Sequence, residues 1–152
     1  MADIIIDEWL WADLAGENSS DAKEQAFNFI SRIYQKCDRI VMVKESKFMQ
    51  KLWAFCKDAK DIWNRKIANF YNANFTYNMS KSVILEWGSL QSIPEQVVNE
   101  TNPDDHYLIQ ALVTVDAQVV LVTTDRSLKD VLSRHGFNCQ LKAEFVRAYV
   151  SQ

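Results

Sequence analysis

Residues 102–130 read NPDDHYLIQALVTVDAQVVLVTTDRSLKD, and this stretch decides the fold class. Asn102 followed by Pro103 predicts a helix start: the asparagine caps the first free N–H groups, and proline at the first helical position lacks only an N–H that has no intrahelical partner. Tyr107, Leu108, Ala111, Leu112 and Val115 then recur at three- and four-residue spacing, so one face of this helix packs on a core and ends near Asp116. Val119 to Val122 is wholly apolar and β-branched apart from Leu121, with no polar alternation, which predicts a strand buried on both faces of a parallel sheet. Asp125 follows two threonines later. That places an acid just past the carboxyl end of a strand, where ligands gather in open α/β sheets.

The rest of the chain is consistent with that frame. With 152 residues, 48% hydrophobic and 24% charged, it has the size of a single domain with a substantial core, 1–152. Three glycines and two prolines are too few for disorder or for an all-β fold with many tight turns. Cys37, Cys56 and Cys139 show no metal-ligand spacing and read as reduced core thiols. No apolar stretch approaches the roughly 18 residues of a membrane span and no signal peptide opens the chain, so the expectation is a soluble, cytoplasmic protein without membrane contact.

Ile4-Ile5-Ile6 predicts the first buried strand and leaves Asp7 at its end, a second strand-end acid that could equally cap a helix begun by Trp9, Leu10, Ala12 and Leu14. The loop 16–21 leads to a helix capped by Ser20 or Asp21, with Ala26, Phe29, Ile30 and Ile33 inward. Residues 39–43 are the second strand. Phe48, Met49, Leu52, Trp53, Phe55 and Cys56 predict a helix with a wide apolar face, Trp53 being the most core-like tryptophan. Helical spacing continues through Ile62, Ile67, Phe70 and Tyr71. Residues 83–85 are ambiguous between strand and helix start. Helices follow at 95–100, at 127–135 with Gly136 as left-handed cap, and at 144–150, with a last strand at 137–141.

Charge is unevenly spread. Eight basic and three acidic residues lie between Lys44 and Lys81, a local net of +5 in a chain of net −3. Such a run is commonly a solvated helix face; its functional reading is a basic wall for a phosphate backbone, with Trp63, Tyr71 or Tyr77 for stacking.

Alternating strands and helices with short connections imply a parallel sheet flanked by helices. Asp7 and Asp125 then leave carboxyl ends of strands, and the helix beginning at Asn102 brings Asp104 and Asp105 to the same edge. Carboxylates crowded together need a counter-charge, and an all-oxygen set points to Mg²⁺ or Mn²⁺ rather than zinc. Asp105 also reads simply as an acid at a helix start, His106 as a solvent-facing or phosphate-contacting histidine, and His135 as a helix C-terminal histidine.

The series III-Asp7, Asp104-x-x-x-Leu108-x-x-Ala111 and VVLV-Thr123-x-Asp125-Arg-x-Leu128 resembles the PIN domain family of metal-dependent ribonucleases over essentially the whole chain. The resemblance implies a three-layer α/β/α sandwich with a central parallel sheet. It implies an endoribonuclease in which Asp7, Asp104 and Asp125 hold Mg²⁺ or Mn²⁺ and Thr123 supplies a supporting hydroxyl. RNA would be the substrate, with Lys47, Lys51, Arg65, Lys66 and Arg126 as basic contacts; an antitoxin protein and a homodimer are partners the family allows. The sequence departs from the family at the second acid, a glutamate in the helix after the second strand. Gln50 or Lys51 falls there: Gln50 keeps an oxygen ligand but loses a charge, and Lys51 opposes a metal. Asp105 is a further potential ligand. The alternatives are a PIN-like domain that binds RNA or a protein without cleaving, and a protein scaffold whose acids only cap helices.

Overall fold

The structure, a computed structural model, describes residues 1–115 and 118–152; Asp116, where the first helical face was expected to end, lies outside the described residues. The elements in order are β1 (Asp3–Ile6), α1 (Trp9–Ala15), α2 (Ser20–Gln35), β2 (Arg39–Val43), α3 (Lys47–Asp58), α4 (Ile62–Tyr71), β3 (Ser82–Leu85), α5 (Glu95–Glu100), α6 (His106–Val115), β4 (Val119–Thr123), α7 (Arg126–Arg134), β5 (Cys139–Leu141) and α8 (Lys142–Ser151). A single π-helical turn, Asn72–Thr76, extends α4, and a 3₁₀ turn, Pro103–Asp105, precedes α6.

Among the described residues, five strands form one parallel sheet in the order β3-β2-β1-β4-β5. Parallel neighbours need crossovers, and right-handed ones put helices on both faces, giving a three-layer α/β/α sandwich. α6 packs over β1, β2 and β4, whereas α2 and α8 pack on each other and reach β2 and β4 from the other side. Strands covered on both faces are apolar along their middle: every residue of β1 and β4 is buried, and the polar ones are partnered, Asp3 by Arg39 at 2.8 Å and Thr123 by Asp7. Ile4, Leu10, Phe29, Ile40, Leu52 and Leu121 are completely buried, and cutting any of them to alanine removes packing worth about 2–5 kcal/mol.

The ambiguous segment at 83–85 is the edge strand β3, because it pairs with β2 from Ile40↔Ser82 to Val43↔Leu85. Asn102 is the expected cap, its side chain accepting from Asp104 N at 2.9 Å. Gly136 takes the left-handed conformation, φ +83°, that ends α7.

Several expectations are corrected. The cap of α2 is Ser19, whose Oγ accepts from Ala22 N at 3.0 Å, not Ser20 or Asp21. Asp7 does not cap α1; Glu8 holds that position without a side-chain hydrogen bond. Trp53 is 44% exposed, and Trp9 and Trp11 are the core tryptophans. Trp11 lies against Phe48, Phe55 and Tyr71. Tyr71 is fully buried and so cannot stack on a base, and Cys37 is exposed rather than a core thiol. Among the described residues, no helix is long and apolar enough to cross a membrane.

Candidate functional site

The chain turns from β1 toward β2 on one side and toward β4 on the other, so a crevice opens at the carboxyl ends of β1 and β4. The register fixes what stands there. Ile6 pairs with Val122, so Asp7 and Thr123 lie side by side one residue further on. Asp7 N donates to Val122 O at 3.2 Å, and the Trp9 indole donates to the same carbonyl at 3.0 Å. These bonds hold the strand end and the start of α1 together.

Thr123, completely buried, is the centre of a short polar chain. Its hydroxyl donates to Asp7 Oδ2 at 2.8 Å and accepts from Asp125 N at 3.1 Å. Asp7 Oδ1 accepts from Glu8 N at 2.7 Å, and Asp125 Oδ1 caps α7 by accepting from Leu128 N at 3.1 Å. Two strand-end acids are thus oriented by backbone and by one hydroxyl.

The two acids of the 3₁₀ turn behave differently. Asp104 has a side chain 69% exposed and forms an ion pair with Lys47, Nζ to Oδ1 2.8 Å. Asp105 is half-buried and feels the inner acids: burial, then the charges of Asp7, Asp125 and Asp104, push its carboxyl up to about 6. Asp105, the residue that also read as an acid at a helix start, is therefore the one electrostatically joined to Asp7 and Asp125. Glu8 belongs to the same group. Burial, then hydrogen bonding to the Asp7 side chain and that carboxylate's charge, raise it to about 7. The sequence reading passed over Glu8; its only signal was adjacency to a strand-end acid. Beneath them the Tyr107 hydroxyl is buried, with its pKa raised by desolvation and then by Glu8 and Asp7.

Lys47 opens α3, after Ser46 caps that helix by accepting from Met49 N at 3.3 Å. Asp104 holds the Lys47 ammonium above the usual lysine range, with Glu8 and Asp105 contributing. Gln50 is exposed and its amide donates to Glu45 O at 3.4 Å. Lys51 lines a groove of about 460 Å³ that begins at Glu8 and runs past Trp11, Phe55, Asp58 and Asn64. Arg126, at the start of α7, and Arg65 and Lys66 on α4 are exposed. His106 Nε2 is 3.1 Å from Thr101 Oγ1, and His135 faces Glu100 at 3.5 Å.

The donor set fits a hard divalent cation in kind: carboxylates and a hydroxyl, with charge crowding that such an ion relieves. Among the described residues, however, no three acid, histidine or cysteine side chains are drawn together at metal-holding distance.

No family model matches the chain, and no curated protein matches it. Its functional reading therefore rests on the residues themselves.

Proposed function

We propose that this chain is a PIN-like endoribonuclease that uses Mg²⁺ or Mn²⁺. The observation that carries the reading is the Thr123 hydroxyl, which joins the Asp7 carboxylate to the Asp125 backbone at the β1/β4 crevice, with half-buried Asp105 nearby. Asp7, Asp105 and Asp125 are the residues that would hold the ion, with Asp104 beside them. A divalent ion bound to carboxylates supplies Lewis acidity toward a phosphodiester and lowers the pKa of its water.

The chain's own groups have separate tasks. Thr123 and the Glu8 N–H fix the plane of the Asp7 carboxylate by each donating to one of its oxygens. Glu8, raised to about 7, can exchange a proton near neutral pH beside Asp7. Lys51 stands along the groove that leaves the crevice, where a phosphate of the substrate strand would find a cation. The exposed basic residues of α3 and α4 extend that attraction.

A second reading has a specific observation in its favour. Lys51 and Gln50 stand where the resembled family carries its second acid, and Asp104 is engaged by Lys47. On this reading the domain binds RNA without cutting it.

Cleavage of fluorescent single-stranded RNA in Mn²⁺ or Mg²⁺ separates the two. Metal-dependent cutting abolished by chelator and by Asp105→Asn, and reduced less by Asp104→Asn, supports the nuclease. RNA binding without cutting at any metal concentration supports the second reading.

A further inference from the structure

The groove that begins at Glu8 has a lining of a particular kind. α1, α3 and α4 pack on one another, and between them opens a space of about 460 Å³. That is within the range of about 300–1,000 Å³ in which proteins hold small ligands. Its walls are short side chains, Ala12 and Ala15 from α1 and Ala54 from α3, so a flat body can enter between the helices. Trp11 and Phe55 add aromatic surface. Trp11 is 3% exposed, yet its indole N–H has no acceptor among the described residues. A buried donor without a partner is unfavourable, and a ligand that brings an acceptor relieves it.

The rim has the wrong sign for a phosphate chain, since Glu8, Glu17 and Asp58 are joined there by a single cation, Lys51. Asn64 completes it. The Asn64 Oδ1 accepts from the Lys23 ammonium, which leaves its amide Nδ2 without a partner among the described residues. Carboxylate acceptors and amide and indole donors around an apolar slot suit the polar edge and flat face of an unstacked base. Guanine offers adjacent N–H groups to a carboxylate and a carbonyl oxygen to an amide. Uracil offers one N–H between two carbonyls, which a carboxylate repels.

We propose that this groove is a subsite for one unpaired guanine of a single-stranded RNA, beside the β1/β4 crevice. The inference deepens the ribonuclease reading and rests on it for the identity of the polymer. Glu17 or Asp58 accepts from the guanine N–H groups, the Asn64 amide donates to its carbonyl oxygen, and Lys51 meets the phosphate of the same nucleotide. A base inside a duplex has its pairing edge occupied, so the groove selects unpaired RNA.

The test is fluorescence anisotropy of labelled pentamers UUGUU and UUUUU with the full chain in chelator, where binding is read without cutting. Wild type is expected to bind UUGUU about tenfold tighter, within the range of one bidentate base contact. The advantage should vanish when the guanine is paired in the stem of a hairpin. Ala54→Leu, which fills the slot from an exposed position of α3, should bring UUGUU to the level of UUUUU, and Ala54→Ser should keep the preference. Asp58→Asn or Glu17→Gln should abolish the preference without weakening UUUUU, because each removes a negative charge near the phosphates. Circular dichroism melts establish that each variant is folded, and Ala54→Met serves if the leucine variant is not.

Equal affinity of wild type for the two pentamers, a preference that survives Ala54→Leu, or one that survives both carboxylate variants would each overturn the proposal. If the pentamers do not differ and a tetra-arginine peptide binds wild type but not Ala54→Leu, the groove belongs to a cationic protein segment and the guanine subsite fails. A guanine preference lost in Ala54→Leu, in a chain that cuts no RNA in Mn²⁺ or Mg²⁺, leaves the subsite standing while the nuclease reading fails. Metal-dependent cutting without any base preference overturns the subsite alone.

Discussion

The Thr123 hydroxyl donates to Asp7 Oδ2 at 2.8 Å while accepting from the backbone N–H of Asp125 at 3.1 Å, so a single buried side chain sets the geometry of both strand-end acids. Register explains why it can. One residue past the Ile6↔Val122 pair, the two parallel strands place these side chains next to each other without any further device.

Replacing Thr123 by valine keeps the shape but leaves an Asp7 oxygen and the Asp125 N–H without their partner. Both bonds are only part-buried, so the loss is that of ordinary hydrogen bonds, about 1 kcal/mol, and urea denaturation should show it. Thr123→Ser should recover most of it, and RNA cleavage should fall further in the valine variant than in the serine variant. Equal stability of Thr123→Val and wild type would mean that the hydroxyl does not organise the edge.

The raised acids predict how stability changes with pH. Glu8 and Asp105 bind protons more tightly folded than unfolded, since their folded values are about 7 and about 6. Their contribution is fully present below the ordinary carboxyl range and is lost as pH rises through those folded values. In chelator, melting temperature should therefore decline from about pH 5 toward pH 7.5 through these two groups. Glu8→Gln and Asp105→Asn should each flatten the decline. Because an ion competes with those protons, the stabilisation by Mn²⁺ should grow with pH; a metal effect independent of pH would contradict the electrostatic link between Asp105 and the site.

How much of this was legible depends on the kind of signal each residue gave. β4 and the α6 face were readable because a β-branched run and a 3.6-residue period have few alternative folds. The different surroundings of Asp104 and Asp105 were not: both acids stand on a 3₁₀ turn, where adjacent residues face different ways, and which of them is half-buried depends on what α6 packs against. Trp53 misled for a related reason. The buried arc of α3 is Phe48, Met49, Leu52 and Phe55, and an adjacent apolar residue beyond that arc points to solvent however hydrophobic it is. Lys47 read only as one of the basic contacts; its pairing with Asp104 was not legible, since that acid is brought to it by the packing of α6 over β1 and β2.

Away from the site, Asp13 is completely buried in α1 and accepts from Asn18 Nδ2 at 2.5 Å and from the Lys142 ammonium. This pair ties α1 to the start of α8. Lys142→Met strands a buried carboxylate, and breaking one side of such a pair costs roughly 3 kcal/mol, the lower end applying because Asn18 remains. The double variant Asp13→Asn, Lys142→Met should recover part of that loss. If the single variant melts like wild type, the ion pair contributes nothing net.

The exposed aromatic surface of α4 gives a prediction that does not depend on cleavage. Trp63 is 65% exposed, and Lys66 Nζ lies 4.9 Å from its ring centroid, with Arg65 exposed alongside. A large aromatic left in water on a basic face is suited to stacking a nucleobase while the cations meet phosphates, and each such stack is worth about 1–3 kcal/mol. Trp63→Ala should thus leave stability within about 0.5 kcal/mol of wild type, as for an uninvolved surface position. It should weaken binding of single-stranded RNA, measured by fluorescence anisotropy in chelator, by about tenfold, a stack of middling strength. Lys66→Ala should lower the slope of log affinity against log salt by about 0.7, the value for one phosphate contact on a single strand. An unchanged dissociation constant in Trp63→Ala, with the salt slope also unchanged in Lys66→Ala, would remove α4 from the RNA path and return the net charge of this segment to an ordinary solvated face.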